Sequence, residues 1–179
     1  YASSSSVYSD SDTEIFKENE TKLSPKSFYG QSKLKNEIFA SKFADETDIS
    51  VVGLRFFSVY GPFGRPDMAY FKFTKNILKG KKIDIYNKGK MFRDYTYIDD
   101  IVDGIYKILN KIPSLKTKKK YKSDSLSHVA PFRILNIGNT KKIFLLDFIK
   151  HIENLLGKKA IRNYMSLQKG DVKQTLSNT

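Results

Sequence analysis

The run ISVVGLRFF, residues 49–57, decides the fold class. It is short and nearly continuously apolar, without the alternation of a strand that has one wet face. Such a run reads as a strand covered on both faces, as in the parallel sheet of an α/β protein. Upstream, residues 24–44 carry a helical pattern. Ser24-Pro25 or Ser27 can start that helix, and Leu34, Ile38, Phe39 and Phe43 supply its apolar stripe. Downstream, VYGPFGRPD (59–67) reads as a loop by its glycines and prolines, and a helix over 69–79 ends at Gly80.

Further out the alternation continues. YASSSSVY (1–8) reads as the end of a buried strand running into a serine-rich turn, and 9–23 as polar and irregular. KIDIYNKG, FRDYTY and RILNIGN are short strand candidates. Residues 98–110 form a helical pattern through Ile98, Ile101, Val102, Ile105, Ile108 and Leu109, with Asp99 and Asp100 favourably placed in the first turn. Residues 145–156 form another, with Leu145, Phe148, Ile149, Ile152, Leu155 and Leu156 on the inner face. The tail from Leu167 is polar. The expected class is α/β.

Composition narrows the function. The 179 residues suffice for one domain or parts of two, and 40% hydrophobic content suits a globular chain. No stretch reaches the roughly 18 apolar residues of a membrane span. No cleavable signal peptide is visible, so the cytoplasm is the expected location. There is no cysteine, and His128 and His151 stand too far apart to suggest a metal site. The net charge is +13, but it is spread along the chain, and only five of the 32 basic residues are arginine. Recognition of nucleic acid leans on the arginine fork. The densest run, KTKKKYK (116–122), reads as a solvated loop, so no nucleic-acid partner is expected.

The chemistry concentrates at SFYGQSK (27–33), where Tyr29 and Lys33 share one helix face, one turn apart. An ammonium beside a phenol favours the phenolate, which is a base. Taken alone, the pair reads far more readily as surface decoration on an amphipathic helix. No glycine-rich dinucleotide fingerprint follows a strand in the chain.

Several stretches then stand in one order: YASSSSVY, YGQSK, LRFFSVYGPFGRPD, GKMFRDYTYIDD, LNIGN and QKGDV. Together they resemble the extended short-chain dehydrogenase/reductase family of nucleotide-sugar epimerases and dehydratases, and most of all the UDP-glucuronate 4-epimerases. The resemblance covers the C-terminal part of the family's usual length. It implies the later strands of a Rossmann-like parallel sheet in residues 1–60. A smaller α/β substrate-binding subdomain would occupy 61–179, with a return to the first domain around 91–112. It implies NAD as cofactor and a UDP-sugar as substrate. Tyr29 would be the base, Lys33 its activator and the holder of the nicotinamide ribose, and Ser4 the hydroxyl that relays the proton. Ser3 and Phe56 would also face the cofactor. Arg93 would grip the diphosphate, and Asp171 would lie near the nucleotide.

The acidic sugar follows from charge. Arg65 would take the uronate carboxylate, helped by Ser5, Ser6 and Ser58. Ser58 stands where relatives acting on neutral sugars often carry Asn and glucuronate epimerases usually carry Thr. The competing reading of Arg65 is an ion pair with Asp67. Asp94 is expected to orient a neighbouring loop. Oxidation at C4 makes a β-keto acid that loses CO₂ readily. The decarboxylating and dehydrating relatives usually place a carboxylate beside the catalytic hydroxyl, and SSSSVY has none. UDP-glucose or UDP-N-acetylglucosamine 4-epimerases, or a nucleotide-sugar dehydratase or decarboxylase, are the alternatives within the family. Of another class, the chain would be a non-catalytic remnant, or a half that associates with a separate N-terminal half. In either case the 179 residues alone are expected to be inactive, and a homodimer is a possible assembly.

Overall fold

The computed structural model describes residues 1–8, 15–119, 124–168 and 174–178. β1 (Ala2–Ser4) runs into one 3-10 turn, Ser5–Tyr8, and is followed by α1 (Phe28–Thr47) and β2 (Val51–Phe56). Next come β3 (Ser58–Tyr60), α2 (Ala69–Leu78), β4 (Lys82–Ile85), β5 (Phe92–Arg93) and β6 (Tyr95–Tyr97). The last elements are α3 (Ile98–Leu109), β7 (Phe132–Ile137), β8 (Ile143–Phe144), α4 (Leu145–Leu156) and β9 (Ile161–Tyr164).

The run 49–57 becomes β2, the middle strand of a parallel sheet ordered β1-β2-β7. Its centre, Gly53 to Arg55, is buried. The later strand of this sheet is 132–137, whereas the strands within the 91–112 segment expected from the resemblance pair with β3 and β8. Asp99 and Asp100 lie in the first turn of α3, and α4 has the bounds its pattern suggested. Two-stranded pairs complete the fold: β3 with β6 and β4 with β9 in parallel, β5 with β8 antiparallel. Phe73, Ile77, Ile83, Ile85, Ile149 and Ile152 fill one core between α2, β4 and α4.

α1 departs from its expected stripe. It starts at Ser27, whose Oγ accepts a hydrogen bond from Gly30 N at 3.0 Å. The face it buries is Gly30, Glu37 and Ala44, one position every two turns, while Ile38 (64% exposed) and Phe39 (71%) point outward. Glu37 is the reason. Arg55 Nε and Nη2 donate to its two carboxylate oxygens at 2.9 and 2.7 Å, and both side chains are buried. A buried charge must meet its partner, so the helix turns its acidic residue to the sheet and leaves the aromatic stripe outside. Val102 and Leu109 on α3 and Leu155 on α4 are likewise exposed, although their spacing matches the inner face.

Asp94 does orient a loop, and more. Its Oδ1 accepts from Asn139 N (2.9 Å), and its Oδ2 accepts from Thr140 N (3.1 Å) and from Ser177 N (3.0 Å) and Oγ (2.5 Å). One buried carboxylate thus fastens the tail to the end of β7, although the tail's composition suggested only a polar end. Within the lysine run, residues 120–122 lie outside the described residues.

Removing one half of the Glu37–Arg55 pair strands a buried charge. Arg55→Met alone is expected to destabilise the protein by about 3–5 kcal/mol in denaturant unfolding. The double variant Glu37→Met/Arg55→Met should recover much of that loss.

Candidate active site

The serine turn and the start of α1 meet at close quarters because of Gly30. A Cβ there would lie 2.6 Å from the Ser6 carbonyl oxygen and 2.8 Å from Pro25 Cβ. Only glycine lets the helix come so near, and the approach brings Tyr29, the preceding residue, beside the serines. Lys33 lies one turn on. Its Nζ stands 5.6 Å from the centroid of the Tyr29 ring and donates to the Ala2 carbonyl at 3.1 Å. The ammonium therefore spans α1 and β1, with one of its three donors used.

Tyr29, Lys33 and the serines 3 to 6 line a single cleft of about 490 Å³. Phe56 at the end of β2, Ser58 in β3 and Arg65 in the following loop line the same cleft. The loop leaves β3 through Gly61, whose φ of 141° is available to glycine and whose missing side chain admits Ile98. At the mouth, Phe63 is fully exposed with a φ of 60°. Tyr60, Met68 and Tyr70 also reach the cleft. None of the three was singled out from the sequence, because aromatic and apolar residues read there as core or loop.

The individual side chains have different employments. Ser4 Oγ lies 3.2 Å from Ser6 Oγ and accepts from Ser6 N at 3.2 Å. Ser3 Oγ is turned to the buried Glu37 and donates to it at 2.5 Å. Arg65 makes the ion pair weighed against its substrate role: Nε to Asp67 Oδ1 at 3.0 Å and Nη2 to Oδ2 at 2.6 Å. The hydrogen-bonded guanidinium holds the Asp67 carboxyl below the usual carboxylate range. Arg93 is not among the residues lining the cleft. It lies half-buried in β5, with Nη1 donating to the Phe92 carbonyl at 2.8 Å. Asp171 lies outside the described residues.

A larger apolar groove of about 930 Å³ runs between α2 and α4 and shares Tyr60, Gly61 and Tyr70 with the cleft. It contains none of the residues expected from the sequence. Among the described residues, no three His, Cys, Asp or Glu side chains gather as they would around a metal. Among them, too, no helix is long and apolar enough to cross a membrane.

Comparison with known proteins assigns this architecture. The model of the NAD dependent epimerase/dehydratase family matches residues 1–122. The chain belongs to that family. Protein CapI of Staphylococcus aureus is 46% identical over 180 residues, covering 99% of this chain and 54% of its own length. A probable UDP-glucuronate 4-epimerase of Rhizobium meliloti is 38% identical over 179 residues, covering 99% of this chain and 52% of its own. The crystal structure of a UDP-glucuronic acid 4-epimerase from Bacillus cereus, in complex with UDP-glucuronic acid and NAD, superposes with a TM-score of 0.77 at 34% identity. It is covered to 51% of its length, by 99% of this chain. The chain thus spans about half the length of the relatives it matches.

Family membership makes the fold Rossmann-like and the cofactor NAD. The donor set suits the nicotinamide-ribose end of that cofactor: an ammonium with donors to spare beside a phenol, at the carboxyl ends of parallel strands. Ligands of open α/β sheets bind at that end.

The two neighbouring serines are expected to separate in function. Ser3→Ala in the intact protein leaves Glu37 short of a hydrogen bond and lowers the unfolding midpoint. Ser4→Ala, which loses only the two 3.2 Å contacts with Ser6, lowers the midpoint less and, if Ser4 is a reacting hydroxyl, reduces turnover more than Ser3→Ala does. Denaturant melts and rate assays on both variants check the division.

Proposed function

We propose that the protein carrying this chain is an NAD-dependent UDP-hexuronate 4-epimerase, interconverting UDP-glucuronate and UDP-galacturonate through a 4-keto sugar. One observation carries the reading. A single cleft joins the Tyr29–Lys33 pair, a turn of serines without a carboxylate, and the guanidinium of Arg65. The relatives named for UDP-glucuronate epimerisation support the substrate class.

In this reading Tyr29 takes the proton from the sugar's 4-hydroxyl, with the Lys33 ammonium 5.6 Å from its ring centroid. Ser4, both donor and acceptor, bridges the sugar oxygen and the phenol. When bound, NAD would supply the reversible hydride exchange with C4 that lets the sugar leave with the opposite configuration. Lys33 and Tyr29, with Phe56 beside them, would hold its nicotinamide-ribose end, while the Ser3 hydroxyl, expected there too, is engaged by Glu37. Arg65, with Ser5, Ser6 and Ser58, holds the carboxylate, and Arg93 and Asp171 are assigned to the UDP moiety. Holding the carboxylate away from the plane that favours loss of CO₂ is what separates epimerisation from decarboxylation. Glu37 is a carboxylate within reach of the serines, and both its oxygens are engaged by Arg55. It is thereby withheld from the acid–base role a dehydratase needs. The chain spans about half the length of the relatives it matches, so turnover is proposed of the protein that carries it.

The test uses the intact protein with UDP-glucuronate and UDP-glucose. Tyr29→Phe is expected to lower turnover about a hundredfold or more. Arg65→Ala should weaken use of UDP-glucuronate several-fold and leave UDP-glucose nearly unchanged. Normal turnover by Tyr29→Phe removes the base assignment, and an equal loss on both sugars removes the uronate reading.

A further inference from the structure

We infer that Asp67 is a specificity-determining residue of the cleft: its carboxylate holds the Arg65 fork that a uronate carboxylate would use, so an acidic sugar binds by exchanging with it. The inference rests on the hexuronate reading of the cleft. Its own observation is the shape of the contact. Arg65 donates through Nε and Nη2 to the two oxygens of one carboxylate, at 3.0 and 2.6 Å. This is the planar, two-bond arrangement in which arginine recognises any carboxylate, and each fork edge takes one such partner at a time. Arg65 lines the cleft and Asp67 does not, so a bound sugar meets the arginine and not its carboxylate partner.

The local backbone makes the pairing inexpensive. Asp67 follows Arg65 by two residues across Pro66, whose fixed φ limits the loop, and Met68 N donates to the Arg65 carbonyl at 3.2 Å. Both side chains are largely exposed, Arg65 at 73% and Asp67 at 55%. An exposed pair of this kind is weak, because water solvates either ion well when they separate. Release of Asp67 returns its carboxylate to water. The exchange of one carboxylate for another at Arg65 is therefore close to balanced. A neutral sugar, by contrast, leaves the internal pair intact and meets no unpaired cation. Asp67 thus tempers the preference for the acidic sugar and eases departure of the acidic product.

The experiment compares the intact protein with Asp67→Asn, which keeps the side-chain shape and removes the charge. KM for UDP-glucuronate is expected to fall several-fold, with UDP-glucose kinetics little changed. In an Arg65→Ala background the same substitution should do nothing, because the contested group is gone. Asp67→Ser repeats the measurement in case the amide makes a bond of its own, and circular dichroism confirms the fold of each variant. A rise in KM for UDP-glucuronate would mean that Asp67 aims Arg65 at the substrate, and would overturn the inference. Equal changes on both sugars, or an effect that persists without Arg65, would also overturn it. If Arg65→Ala itself fails to discriminate the sugars, the hexuronate reading falls. If Arg65→Ala discriminates and Asp67→Asn does not, only the exchange falls.

Discussion

The bidentate contact between Glu37 and Arg55 is the constraint on which the site depends. Two ions buried together add little net stability over an apolar pair, but either one alone is strongly unfavourable. α1 therefore docks on the sheet only where its one acidic inner residue meets the one arginine of β2. The network extends to the strand that begins the site. Ser3 Oγ donates to Glu37, and Arg55 Nη1 donates to the Tyr8 hydroxyl at 2.5 Å, with the guanidinium carbon 4.6 Å from the Tyr8 ring centroid. Burial pushes the Tyr8 phenol up to about 12, so it stays neutral and available to Asn136 Oδ1 at 2.9 Å. Helix, strand and serine turn are thus tied through one polar cluster.

Placement of the reactive groups follows from helix geometry. Tyr29, Lys33 and Glu37 are successive i, i+4 neighbours, so anchoring Glu37 sets the azimuth of all three. Gly30 then permits the approach to the Ser6 carbonyl that a larger residue would block. The result is a cleft rich in hydroxyl and cationic groups, with Glu37 behind the serines held by Arg55. Such a wall suits proton removal from a sugar hydroxyl and the recognition of an anionic substituent.

Much of this was legible from residue order. The central strand, the bounds of α4, the first turn of α3 and the loop-orienting Asp94 all follow from local pattern, because apolar period and capping chemistry are local. The family motifs named Tyr29, Lys33, the serines, Ser58 and Arg65, and the structure gathers them around one cleft. Periodicity failed where it had to supply a neighbour. It groups Ile38, Phe39 and Phe43, or Val102 and Leu109, on a face, but not whether anything covers that face. The role of Glu37 was missed, although an arginine inside the apolar run 49–57 is itself a sign that a buried partner is needed. β8 and β9 escaped notice because strands of two and four residues, paired with distant partners, carry no alternation of their own. The paired strand β3 was read as loop beyond Ser58 because glycine and proline follow it so closely.

The most direct measurement of the account follows the hydrogen at C4. UDP-glucuronate carrying deuterium at C4 is incubated with the intact protein in ordinary water, and the product is read by NMR. The account predicts UDP-galacturonate that keeps the deuterium at C4, because the same hydride leaves one face and returns to the other. Loss of the label to solvent, or a product that has lost its carboxyl group, would contradict it.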